Sequence, residues 1–140
     1  MKIAVDTSAW VKRYIFEPGS EKIGPLLMQA TELGVSVILL PEVISAFNRI
    51  LREGRISVNT YQTLKHLLMT DIESAQILLI TPEVIRIAIN LLEKHPLRAM
   101  DAIHIACALA WGADRFVTAD RRQMHAAINA GLPTQFIESS

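Results

Sequence analysis

The sequence predicts an α/β domain built on a mostly parallel sheet, and three observations carry the prediction. Short apolar runs rich in branched residues, such as Ile3-Ala4-Val5 and Phe116-Val117, alternate with longer segments of helical periodicity. Glycine and proline are sparse and fall singly, at the joints between those segments. At 140 residues, 51% apolar and 20% charged, the chain is long enough to bury a core and too apolar to stay disordered. Strands alternating with helices call for right-handed crossovers and helices packed on the sheet. No repeat or linker divides the chain, so one domain over 1–140 is expected.

The elements follow in order. Lys2–Val5 reads as a short buried strand, after which Ser8 is placed to cap a helix through Tyr14. Glu17-Pro18-Gly19-Ser20 is turn chemistry, and a helix over 21–33 is expected to stop at Gly34, a residue suited to the left-handed cap. Ser36–Leu40, rich in branched side chains, reads as the second strand, and Pro41 as the start of a helix to Arg52 or Glu53, ended by Gly54. Ser57 caps a further helix to about Thr70, and Ala75–Ile80 is the third strand. Thr81-Pro82-Glu83 opens a helix to Lys94, and another runs over 97–111 to stop at Gly112. Arg115–Thr118 is the fourth strand, a helix follows over 122–130 up to Gly131, and Thr134–Ile137 forms a fifth, marginal strand.

Composition excludes several classes. Fourteen basic residues balance fourteen acidic ones, so no bulk attraction to nucleic acid exists, although a small local patch is allowed. Cys107 is the lone cysteine and lies in an apolar segment, which makes it packing and leaves no intrachain disulfide. An apolar run of only three residues precedes Asp6, too short for a signal-peptide core, and no apolar run approaches the roughly 20 residues of a membrane span. A cytoplasmic protein is expected.

Four acids stand where apolar segments begin or end. Asp6 closes Ile3-Ala4-Val5, and Glu42 follows Val37-Ile38-Leu39-Leu40 by way of Pro41. Asp101 opens the apolar stretch 102–111, and Asp120 closes Phe116-Val117-Thr118-Ala119. Two carboxylates about 4 Å apart repel by roughly 4 kcal/mol at an effective dielectric near 20. A fold that gathers four needs a dication, shared protons or both, and an all-carboxylate site favours Mg2+ or Mn2+ over zinc.

Each acid also has a plainer reading. Asp6 and Asp120 suit turns and helix caps, and Glu42 suits a helix dipole. Thr81-Pro82-Glu83 repeats the Glu42 pattern, but after an edge strand, where Glu83 is out of reach. Asp101 is hardest to dismiss, because nearly every residue after it is apolar and a lone buried carboxylate is unfavourable. Ser8 and Thr118 are auxiliary candidates, and His104 is expected to hydrogen-bond within or beside its helix. Lys12, Arg13, Arg49, Arg52, Arg55, Arg121 and Arg122 are available for a basic rim, with Lys12, Arg121 and Arg122 the candidate phosphate contacts. An aspartyl-phosphate phosphatase using Asp6 is a rival, but it needs a second aspartate where Ser8 stands.

With these residues in place, the chain resembles the PIN-domain ribonucleases, and within them the VapC-type toxins of toxin–antitoxin pairs. The matching stretches run from Val5 to Lys12, Glu17 to Ser20, Pro41 to Ala46, His95 to Ala106 and Phe116 to Arg122, in family order. The resemblance implies a PIN-like three-layer α/β/α fold with strand order 3-2-1-4-5. That order also sets strands one and four side by side, as the placement of Asp6 and Asp120 asks. It implies a Mg2+- or Mn2+-dependent endoribonuclease, a homodimer, and a small antitoxin as partner. Carried over residue by residue, Asp6, Asp101 and Asp120 are metal ligands, and Glu42 binds directly or through water. The stretch from Gly54 to Glu73 matches no motif, and family members vary there and select substrates. A PIN-like module without catalysis is the alternative.

Overall fold

A computed structural model describes residues 1–138. The chain runs β1 (Lys2–Val5), α1 (Thr7–Trp10) with a following 3-10 turn (Val11–Arg13), α2 (Ser20–Leu27), β2 (Glu32–Ser36) and α3 (Leu39–Arg52). Then come α4 (Val58–Ile72), β3 (Gln76–Leu78), α5 (Pro82–Lys94), α6 (Ala99–Trp111), β4 (Arg115–Thr118), α7 (Arg121–Asn129) and β5 (Thr134–Phe136). All four strand pairings are parallel, in the order β3-β2-β1-β4-β5. This is the fold class and strand order that the sequence and its resemblance imply.

The period-2 alternation of β1 divides the core. Ile3 and Val5 face a cluster with Trp10, Leu39, Val43, Phe47 and Val117, while Ala4 faces Phe116, Ile105 and Ala106 on the other side. Helices α1 to α4 cover the first face and α5 to α7 the second, so the sheet is enclosed in three layers. Helix α6 is buried from Asp101 through Ala108. Cys107 sits there as packing, its Sγ 3.8 Å from the Leu78 carbonyl. None of the helices among the described residues is long and apolar enough to cross a membrane.

Local signals hold where they are strong. Ser57 and Thr81 accept from the backbone amides of Thr60 and Val84, capping α4 and α5, and Pro82 takes a first-turn position that needs no amide hydrogen. Gly112 ends α6 in the left-handed conformation, with φ at 77°.

The second strand is a correction. Helix α2 stops at Leu27, and β2 occupies 32–36 instead of 36–40. Leu39, Val43, Phe47 and Ile50 all face the core, so helical periodicity extends back through Pro41 to Leu39. Pro41 fits there because amides in a first turn have no partner within the helix. Gly34 is therefore no cap. It pairs with Ala4 and Gln76 inside the sheet, and the Trp111 ring lies against it. A Cβ at this position would stand 2.7 Å from Trp111 Cζ3. Gly34→Ala is expected to destabilise by about 1–3 kcal/mol, the usual scale of overpacking. Urea titration of the two proteins measures this, and unchanged stability would show that the ring moves aside freely.

Candidate active site

Pairing of Val5 with Val117 brings the carboxyl ends of β1 and β4 together, and the Asp6 amide donates to the Val117 carbonyl at 3.1 Å. Asp6 is the N-cap of α1, a role the sequence reading assigned to Ser8. Its carboxylate has no exposed surface. Oδ1 accepts from the Ala9 amide at 3.0 Å, Oδ2 from Thr118 Oγ1 at 2.7 Å, and the Ser8 hydroxyl lies 2.8 Å from both. Those hydroxyls are fixed in turn: Ser8 accepts from the Ala119 amide at 2.9 Å, and Thr118 from the Asp120 amide at 3.0 Å. Burial pushes the Asp6 carboxyl above its ordinary range, against the charge of His104 and these hydrogen bonds. Two residues on, where a phosphatase using Asp6 needs a second aspartate, stands Ser8, hydrogen-bonded to the Asp6 carboxylate.

The other three acids line one cleft of about 480 Å3 above it. Asp120 caps α7, its Oδ1 accepting from the amides of Arg122 at 2.8 Å and Gln123 at 3.2 Å. Oδ2 takes no protein hydrogen bond among the described residues. Asp101, in the first turn of α6, is 8% exposed. Its Oδ1 accepts from Gln123 Nε2 at 3.1 Å, and its Oδ2 is 3.4 Å from Arg98 Nε. Glu42, in the first turn of α3, accepts at Oε1 from Thr7 Oγ1 at 2.5 Å and His104 Nε2 at 2.6 Å. Burial pushes the Glu42 carboxyl up, but those two bonds and the charges of His104 and Arg98 outweigh it. The carboxyl therefore lies below its ordinary range. Glu83 borders a different surface hollow, beside Gln76 and Leu79.

The basic residues divide. Arg49 and Arg98 line the cleft, the second unrecognised in the sequence although it stands three residues before Asp101. Lys12 is corrected: it is 4% exposed, and its ammonium is held by Glu17 Oε1 at 3.1 Å and the Pro18 carbonyl at 2.8 Å. It braces the turn at 17–20 and is not free to meet a phosphate. The Arg121 guanidinium lies 5.0 Å from the Phe136 ring centroid, and Arg122 is exposed, neither of them lining the cleft. Arg13 stacks on Trp10 and pairs with Asp71, and Arg55 pairs with Glu53. His104 reaches across to α3 and α1, and Gln123 was not singled out by the sequence. The signal for both was a polar residue on an otherwise apolar helix face.

Whether the cleft suits a metal turns on its donors. Among the described residues no three His, Cys, Asp or Glu side chains are grouped closely enough to hold an ion as they stand. In kind the donors fit a hard dication, being carboxylate oxygens without a thiolate. Asp6, withdrawn from water beneath the cleft, is hydrogen-bonded by hydroxyls and one amide and by no cationic side chain among the described residues, the situation a cation would relieve.

No curated protein matches the chain by sequence. Solved structures do match in fold. A chain of a toxin–antitoxin complex from Klebsiella pneumoniae is 14% identical with a TM-score of 0.71, over 99% of both chains. FitAcB from Neisseria gonorrhoeae is 16% identical with a TM-score of 0.73, over 94% of this chain and 95% of that one. VapC20 of Mycobacterium tuberculosis, a sarcin–ricin loop cleaving toxin, is 18% identical with a TM-score of 0.65, over 89% and 94%. At the level of sequence family, the PIN domain model matches residues 3–129, nearly the whole chain. With the order of its parallel sheet and the acids at its carboxyl edge, that match makes the chain a member of the PIN domain family.

Proposed function

We propose that the chain is a Mg2+- or Mn2+-dependent endoribonuclease, serving as the toxin of a type II toxin–antitoxin pair. One observation carries the reading: Glu42, Asp101 and Asp120, at the starts of three different helices, line a single cleft above the buried Asp6. Such a concentration of negative charge has little structural use and attracts a dication. Asp6, Asp101 and Asp120 would hold the ion, with Glu42 bound directly or through water. The cation supplies charge neutralisation at the phosphate and acidifies the attacking water.

The chain's own residues supply the rest. Glu42, kept ionised by His104 and Thr7, accepts a hydrogen bond from the attacking water and orients it. Arg49 and Arg98 at the cleft wall meet phosphate oxygens and set the register of the strand. Such hydrolysis uses water as nucleophile and leaves the RNA 2′-hydroxyl untouched. Similarity in fold to toxin–antitoxin structures supports the toxin role and a cognate antitoxin; we further propose a homodimer acting in the cytoplasm.

Incubation of purified protein with RNA and Mn2+, followed by mapping of the ends, tests the reading. Products bearing 5′-phosphate and 3′-hydroxyl are expected, with EDTA stopping the reaction. Ends carrying 2′,3′-cyclic phosphate, or cleavage indifferent to EDTA, would overturn it.

A further inference from the structure

Two buried polar side-chain atoms lack a hydrogen-bond partner among the described residues, His104 Nδ1 and Gln123 Oε1. Both residues line the acidic cleft, and they are 4% and 3% exposed. A buried polar atom left unpaired is unfavourable, and leucine at either position would remove it. Packing alone therefore does not account for either side chain. What each does instead is spend its satisfied atom on an acid of the cleft.

Gln123 Nε2 is 3.1 Å from Asp101 Oδ1, and His104 Nε2 is 2.6 Å from Glu42 Oε1. A carboxylate oxygen only accepts, so the amide nitrogen faces Asp101 and the imidazole Nε2 carries the hydrogen toward Glu42. Each bond occupies one oxygen of its acid. The other oxygen is left without a bond in Glu42, and with only the 3.4 Å approach of Arg98 in Asp101. Gln123 does this without adding charge to the cleft.

We infer that Gln123 and His104 are positioning residues, holding Asp101 and Glu42 so that the remaining oxygen of each is presented to a divalent cation. The inference rests on the metal-dependent reading above. Side chains that orient metal-binding groups in this way typically change metal affinity by roughly 10–100-fold when removed. A residue present only for packing changes the melting temperature and leaves that affinity alone.

The test is Mn2+ binding by calorimetry on the full chain, with thermal melting in EDTA, for wild type, Gln123→Leu, His104→Leu and His104→Gln. Both leucine variants are expected to bind Mn2+ about 10–100-fold more weakly, with melting in EDTA showing that they remain folded. His104→Gln keeps an N–H donor of similar reach and is expected to recover most of the affinity lost in His104→Leu. Should a leucine variant fail to fold, Gln123→Met and His104→Met, which likewise lack the donor, carry the comparison. Leucine variants that bind Mn2+ as wild type does would overturn the inference while leaving the nuclease reading standing. A wild-type chain that binds no Mn2+ would remove both.

Discussion

Asp6→Asn is expected to abolish RNA cleavage and yet raise the melting temperature of the metal-free protein. The cleavage loss should reach at least roughly 10²–10³-fold, the scale on which one electrostatic group at a reacting centre acts. The gain in stability follows from burial. In the unfolded chain the carboxyl has its ordinary value of 3.8, and in the fold desolvation raises it. The folded state thus binds the proton more tightly, and this group's contribution declines as pH climbs from about 4 through the folded value. Asparagine removes that decline. Its oxygen still accepts from the Ala9 amide, and the Ser8 and Thr118 hydroxyls can turn to accept from its amide nitrogen.

The sign can be isolated by measuring both proteins in EDTA across pH. Glu42, held below its ordinary 4.5, works in the opposite direction, its stabilisation present above that value and lost as pH falls. It is present in both proteins and cancels in the difference. The stability gap should be near zero below about pH 4 and widen in favour of the variant above it. A gap of constant size, or a variant that melts lower at neutral pH, would show that burial does not govern Asp6. Adding Mn2+ should raise the melting temperature of wild type only.

Asp120 has two roles that two substitutions separate. Its Oδ1 caps α7 through the amides of Arg122 and Gln123, while Oδ2 remains for the cleft. Asparagine is as good a cap as aspartate but lacks the charge. Both Asp120→Asn and Asp120→Ala are expected to lower cleavage by at least roughly 10²-fold. Only alanine should also lower stability, by about 1 kcal/mol. Equal melting of the two variants would remove the capping role. Wild-type cleavage by Asp120→Asn would remove the catalytic one.

Legibility of the fold varied with how local each signal was. Strand β4 and helix α5 stand where the sequence puts them, because Thr81-Pro82 and the branched run at 115–118 act on their own neighbours. The second strand was displaced because an apolar run at 37–40 looks the same as a buried strand or as the first turn of a buried helix. The true strand contains Glu32, Gly34 and Ser36, residues of poor strand propensity. Only the Trp111 ring and the neighbouring strands explain the glycine. Lys12 looked like a surface charge because no pattern reveals that the turn six residues on folds back over its ammonium.

The chain's own order of residues determined the alternation of elements and the four acids at segment ends. Caps, turns and periodicities are written within a few positions, so they survive being read one dimension at a time. Which distant donors meet the oxygens of Asp6, Glu42 and Asp101 was decided by tertiary structure alone. Asp6 meets Thr118 across 112 residues, Glu42 meets His104 across 62, and Asp101 meets Gln123 across 22. A hydrogen bond tolerates only a few tenths of an ångström, and that tolerance is met by packed helices and paired strands, which spacing along a chain does not encode.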